Sequence, residues 1–194
     1  ENNYNVVGII TVPDKPAGRG QKLRSSYVKE YAVSQNIPVL QPINLKDETF
    51  LADLKALEAD VQVVVAFRML PEEVWNMPKH GTFNLHASLL PQYRGAAPIN
   101  WAIINGDTVS GVTTFFIEHQ IDTGNIIFQE KISIEAEDNA GILHDKMMQI
   151  GSQLVCKTID AITDGTSPNI KQEGTATQAP KIFKDTCQID WSKD

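Results

Sequence analysis

GTFNLHASLLPQYRGAAP, residues 81–98, decides how the rest of the chain is read. Phe83 and Leu85 alternate with Asn84 and His86, and the two-residue period of a β-strand sets the Asn and His side chains on one face. The run then breaks into a Pro- and Gly-bearing loop, Leu89 to Gly95, as a strand leaving a sheet does. In an α/β protein the carboxyl end of a strand is where polar side chains carry chemistry.

Working outward, two continuous apolar runs lie upstream, Asn5–Val12 (NVVGIITV) and Val61–Phe67 (VQVVVAF). Their β-branched content predicts buried strands, with Pro38-Val39-Leu40 a short strand between them. Ser25 or Ser26 is placed to cap a helix through Gln35 with Tyr27, Val28, Tyr31 and Ala32 as its apolar side. Asn44 or Asp47 begins the next, where Phe50, Leu51, Leu54 and Leu57 recur at helical spacing, and Pro71 opens a short third. Downstream, Ala96–Asn105 reads as a helix, and Gly111–Ile117 and Asn125–Ile134 as strands joined through Ile121-Asp122-Thr123-Gly124. The longest helix follows Asp138 or Asn139 and buries Ile142, Leu143, Met147, Ile150, Leu154, Ile159 and Ile162, ending at Gly165. The tail to Asp194 carries no clear period. Alternating strands and helices with apolar strands predict an α/β, Rossmann-like fold, a mostly parallel sheet with helices on both faces. Neither a GxGxxG nor a P-loop is present, so the ligand is not a dinucleotide.

The chain has 194 residues, 42% hydrophobic and 21% charged, enough for a full core and typical of a soluble globular protein. No apolar run reaches the roughly 20 residues that span a bilayer. Cys156 and Cys187 have no metal-ligand spacing, so reduced thiols, a cytoplasmic location and no metal are expected. The net charge of −7 argues against indiscriminate nucleic-acid binding. One stretch opposes it: Lys15, Arg19, Lys22 and Arg24 face only Asp14 in an exposed loop, either a solvated loop or an arm that meets phosphates.

Asn84, His86 and Asp122 together hold the inventory for acyl transfer. An amide donates to a developing oxyanion, an imidazole moves a proton or stabilises that charge, and a carboxylate orients the imidazole. No serine or cysteine is placed as a nucleophile, which points to direct attack by an external amine. His119, three residues from Asp122, is the rival histidine, but it lacks an Asn partner at strand spacing. Trp75, Trp101 and Met147-Met148 read as packing residues, and His80 and His144 as surface or cap residues.

PDKPAGRGQK, FNLHASLLPQYRGAAPINWAI and IDTGNII, in that order, resemble the methionyl-tRNA formyltransferase family, and the resemblance runs from Asn5 to Trp191. It implies transfer of formyl from 10-formyltetrahydrofolate to the α-amino group of methionine on initiator tRNA, by a monomer with no membrane partner. Residue by residue, Asn84, His86 and Asp122 match the family's catalytic Asn, His and Asp. Ser88, Leu89, Leu90 and Pro91 match its folate-binding segment. Phe67, Arg68, Met69 and Leu70 fall where its backbone holds the pterin, in a stretch one residue shorter here. Lys15, Arg19, Lys22 and Arg24 match the insertion that contacts the tRNA acceptor end, with Arg19 central. The family opens with a further strand and helix and continues past an Ile-Asp-Trp into a small β-barrel. The resemblance therefore implies a catalytic domain at 1–185 lacking its first strand and helix, and the start of a linker at 186–194. The other readings are a formyltransferase acting on glycinamide ribonucleotide or an amino sugar, and a non-catalytic fragment that binds folate or RNA.

Overall fold

The computed structural model describes residues 4–17, 22–189 and 191–192. They fall into two compact units, one within residues 1–62 and 68–81, the other within 63–67 and 82–194.

In the first unit β1 (Ile9–Ile10) precedes a ribbon of β2 (Lys15–Ala17) and β3 (Lys22–Arg24), then α1 (Tyr27–Ser34) and β4 (Val39–Leu40). β1 runs parallel to β4, pairing Ile9 with Val39 and Ile10 with Leu40. The run expected as a strand from Asn5 to Val12 is thus strand at only two residues, and Val6 and Val12 are about half exposed. β-Branched residues supply strand propensity, but a strand needs a neighbouring ladder.

The basic stretch, expected as a loop, is an antiparallel ribbon that pairs Lys15 with Arg24 and Pro16 with Leu23. Arg19 lies outside the described residues. Asp14 ties the base of the ribbon to the unit, its carboxylate receiving Lys29 Nζ at 2.6 Å and Gln41 Nε2 at 3.0 Å. Those hydrogen bonds, Lys29's first, hold its pKa below the ordinary carboxylate value.

Ser26 is the N-cap of α1 and accepts from the Lys29 amide. Of the apolar side expected for that helix only Ala32 is buried; Tyr27, Val28 and Tyr31 are exposed. Asp47 caps α2 (Glu48–Ala56), which buries Phe50 and Leu54. α3 (Glu72–Trp75) follows Pro71 at its N-cap and buries Val74 completely.

The second unit is built on a sheet ordered β5 (Gln62–Val65), β6 (Thr82–His86), β8 (Val109–Phe116), β9 (Ile126–Ser133). β7 (Arg94–Gly95) and α4 (Pro98–Ile104) lie between β6 and β8 in the chain, and α5 (Ala140–Thr163) follows β9. The α/β class holds, but the ladders from β6 through β8 to β9 are antiparallel. Strands buried on both faces read as continuous apolar runs whichever way their neighbours point. Gly111 to Phe115 is buried at every residue, Thr113 and Thr114 included, and the short 117–125 connection makes β8 and β9 a hairpin. Among the described registers, parallel pairing occurs at β1–β4 and between β7 and β10 (Gln178–Ala179).

α5 covers one face of this sheet. Leu143, Met147 and Leu154 join Val112, Ile132 and Ala102 in the core, and Thr114 Oγ1 meets Thr158 Oγ1 at 2.9 Å. Ile142, expected in the buried row, is exposed; Gly151 and Thr158 occupy it instead, because small residues let the helix approach Leu85 and Thr114. Asn139 caps α5, its Oδ1 accepting from the amides of Gly141 and Ile142 at 2.9 and 3.0 Å. Asn139→Ala should cost about 1 kcal/mol of stability, seen as a lower denaturant midpoint at unchanged slope.

The tail, which has no readable period, is held by pairing. Ile170 and Ile126 exchange backbone hydrogen bonds at 2.7 and 3.0 Å, and Trp101 Nε1 donates to the Pro180 carbonyl at 2.8 Å. Neither Cys156 nor Cys187 is in a disulfide. No described helix is long and apolar enough to cross a membrane.

Candidate active site

Register decides which face of β6 holds the polar pair. Leu85 lies opposite Thr114, on the face that α5 covers, whereas Asn84 lies opposite Phe115 and His86 opposite Thr113. Asn84 and His86 therefore share the other face, as their spacing requires.

His86 is 6% exposed, with the edge of Phe115 packed against its ring at 6.4 Å between centroids and 81° between planes. Its Nε2 lies 2.9 Å from the carbonyl oxygen of Tyr93. A carbonyl only accepts, so Nε2 carries the proton and the tautomer is set. The other nitrogen, Nδ1, lies 3.8 Å from Asp122 Oδ2, an ion-pair distance too long for a hydrogen bond. With Nε2 turned to the Tyr93 carbonyl, Nδ1 is the nitrogen that faces the Asp122 carboxylate. Asp122 holds a left-handed backbone, φ +53°, and its Oδ2 accepts the Gly95 amide at 2.8 Å. Asn84 Oδ1 is buried with no hydrogen-bond partner, the one such side-chain atom among the described residues. A buried acceptor left open inside a protein is costly unless something fills it.

The Ser88–Pro91 turn is fastened to this same face of the sheet. Ser88 is fully buried, and its hydroxyl donates to the Gln92 carbonyl. Thr113 Oγ1 donates to the Ser88 carbonyl at 2.6 Å and accepts from the Leu90 amide at 3.2 Å and Gln129 Nε2 at 2.9 Å. Leu90 is buried with Phe115 and Ile126, Leu89 and Pro91 are half-buried, and the Leu90–Pro91 peptide is cis. The Ser88 and Leu90 side chains therefore shape the turn from inside.

The loop that supplies the Tyr93 carbonyl is braced by that tyrosine's own hydroxyl, which donates to Asp107 Oδ2 at 2.6 Å and accepts from Asn105 Nδ2 at 2.9 Å. Burial first, then the Asp107 hydrogen bond, raises the phenol's pKa. Tyr93 and the Gln172 carboxamide, which braces the Asp122 loop, escaped sequence reading. Tyr93 acts here through its backbone, and Gln172 lies in the aperiodic tail.

Phe67 belongs to this unit, while Arg68, Met69 and Leu70 belong to the first, where Arg68 donates to the carbonyls of Pro42 and Ile43. Those three line a shallow pocket with Ile43 and Leu45. The ribbon that carries Lys15 and Arg24, both exposed, also lies in the first unit. His119 is exposed.

The profile described as formyl transferase matches residues 1–159. The chain belongs to the formyl transferase family. Methionyl-tRNA formyltransferase of Bacteroides thetaiotaomicron is 61% identical over 197 residues, covering 99% of this chain and 61% of the relative. The chain thus spans about three-fifths of the length of the curated formyl transferases it matches. Among solved structures, phosphoribosylglycinamide formyltransferase of Bacillus halodurans superposes with a TM-score of 0.67 at 26% identity, over 78% of this chain and 77% of that one. A sugar 3N-formyl transferase crystallised with dTDP and 5-N-formyl-THF gives 0.64 at 25%, over 82% and 54%.

Proposed function

We propose that this chain carries the catalytic centre of a methionyl-tRNA formyltransferase, moving formyl from 10-formyltetrahydrofolate to the α-amino group of methionine on initiator tRNA in the cytoplasm. The observation that carries the reading is the convergence of Asn84, His86 and Asp122 on one side of the sheet, with Asn84 Oδ1 open. The acceptor is taken from the 61% identity to relatives of that name, which exceeds the likeness to the sugar and glycinamide enzymes.

The residues fit a formyl donor and an amine. The folate supplies a formyl group activated by its attachment to N10. The Asn84 carboxamide offers an amide donor to the oxygen that gains charge, and its open Oδ1 accepts an N–H of the incoming amine. His86, its Nε2–H held by the Tyr93 carbonyl, presents positive charge through Nδ1–H; at 3.8 Å from Asp122 that proton remains available to the oxyanion. Asp122 faces the ring and takes the proton shed by the amine, which passes to N10 as the carbon–nitrogen bond there breaks. Ser88–Pro91 and Phe67–Leu70 are proposed to hold the folate, with residues 1–185 as the catalytic domain.

The test is formyl transfer by this chain, and by the chain extended to its relatives' length, with Met-tRNA, glycinamide ribonucleotide and an amino-sugar nucleotide as alternative acceptors. Formylation of Met-tRNA alone supports the reading; formylation of a small amine, or folate binding without transfer, overturns it. Lys15, Arg19, Lys22 and Arg24 are proposed to meet the acceptor end. Arg19→Ala should then raise KM for Met-tRNA roughly tenfold, with a shallower salt dependence and unchanged folate affinity.

A further inference from the structure

We infer that Gln172 is a positioning residue, holding Asp122 in register with His86. Its carboxamide is fully used. Nε2 donates to the carbonyls of Asp122 at 2.9 Å and Gly124 at 2.8 Å. Oε1 accepts from Arg94 Nε at 3.2 Å and Nη2 at 2.6 Å. An amide side chain has two N–H donors and one acceptor oxygen with two lone pairs, and all four are matched here.

What those bonds fasten gives them a role. In the Asp122 loop residues 118–121 are exposed, Thr123 Oγ1 donates to the Gln120 carbonyl at 3.1 Å, and Asp122 sits in the left-handed backbone region, uncommon outside glycine, so the direction of its carboxylate depends on how the loop is constrained. Gln172 supplies the constraint by gripping the carbonyls on both sides of Thr123. Through Oε1 it also grips Arg94, whose neighbour Gly95 gives its amide to Asp122 Oδ2. One carboxamide therefore locks the two chain segments that set the 3.8 Å spacing between Asp122 Oδ2 and His86 Nδ1. Gln172 is itself placed by the Ile170–Ile126 bridge two residues earlier.

The kinetic arm of the test rests on the proposed formyl transfer; the spectroscopic arm does not. In chain labelled with 15N-histidine, the His86 imidazole resonances of Gln172→Ala and of the near-isosteric Gln172→Glu should move toward those of Asp122→Asn. Resonances that stay at the parent position in both variants overturn the inference, whatever the activity. In turnover, either substitution should lower kcat about 10- to 100-fold, as misplacement of a reacting group does, with acceptor KM within about twofold. In an Asp122→Asn background the same substitution should cost less than about twofold more, because two residues acting through one group are not additive. An equal loss in both backgrounds assigns Gln172 a purely structural part and overturns the inference. A parent chain without formyl transfer overturns the proposed function while the resonances still decide the role of Gln172.

Discussion

Asn84→Ala should reduce formyl transfer by about 100- to 1000-fold, the cost of removing one donor to a developing oxyanion, while the protein unfolds at nearly the parent temperature. The two halves of this expectation come from one observation. Asn84 Oδ1 is buried and bonded to nothing within the described protein, so its removal breaks no hydrogen bond at that end and relieves an unsatisfied acceptor. A residue kept in so unfavourable a state is one whose partner arrives from outside. His86→Ala makes the contrast. It should lose activity on the same scale but also stability, because the Tyr93 carbonyl loses its donor and Phe115 loses the ring packed on its edge. Single-turnover transfer and thermal unfolding of both variants separate the two effects. Near-parental turnover by Asn84→Ala would remove the asparagine from the chemistry.

The pair on β6 was legible because a strand's period is rigid: two residues apart means one face, and the register with Thr113 and Phe115 confirms it. Helix starts were legible for a similarly local reason, since Ser26, Asp47 and Asn139 each accept an amide two or three residues on. Asp122 was nameable but its geometry was not. Its left-handed backbone and its partner Gly95 depend on a bond from Gln172, fifty residues later in a segment whose strand pairing is with β7 rather than with its neighbours in sequence. Sheet direction was out of reach as well, because Val112, Thr113 and Thr114 are buried from both sides and would look the same in a parallel sheet. The exposed side of α1 shows the opposite failure: Tyr27, Val28 and Tyr31 make an apolar row whose spacing predicts burial that the described residues do not provide.

Gly124→Ala should be the most damaging single methyl in the second unit. A Cβ built there would lie 1.7 Å from the backbone oxygen of Phe116 and 2.9 Å from its carbonyl carbon. Neither atom can turn aside as a side chain would, because Phe116 closes the β8 ladder and its own amide is bound to Asn125 O at 3.1 Å. The loop must therefore lift away from the strand, and it carries Asp122 with it. Overpacking against rigid surroundings costs about 1–3 kcal/mol, and a contact this short belongs at the upper end. The Gly124 carbonyl would also withdraw from Gln172, so the loss should appear in kcat as well as in stability. Gly106→Ala is the control: its φ of +69° is unfavourable for alanine, but nothing lies within 4 Å of the added atom. That variant should lose roughly 1 kcal/mol from backbone conformation alone and keep its activity. If Gly124→Ala matched it in both unfolding midpoint and turnover, the close approach of the Asp122 loop to β8 would not be what holds the carboxylate in place.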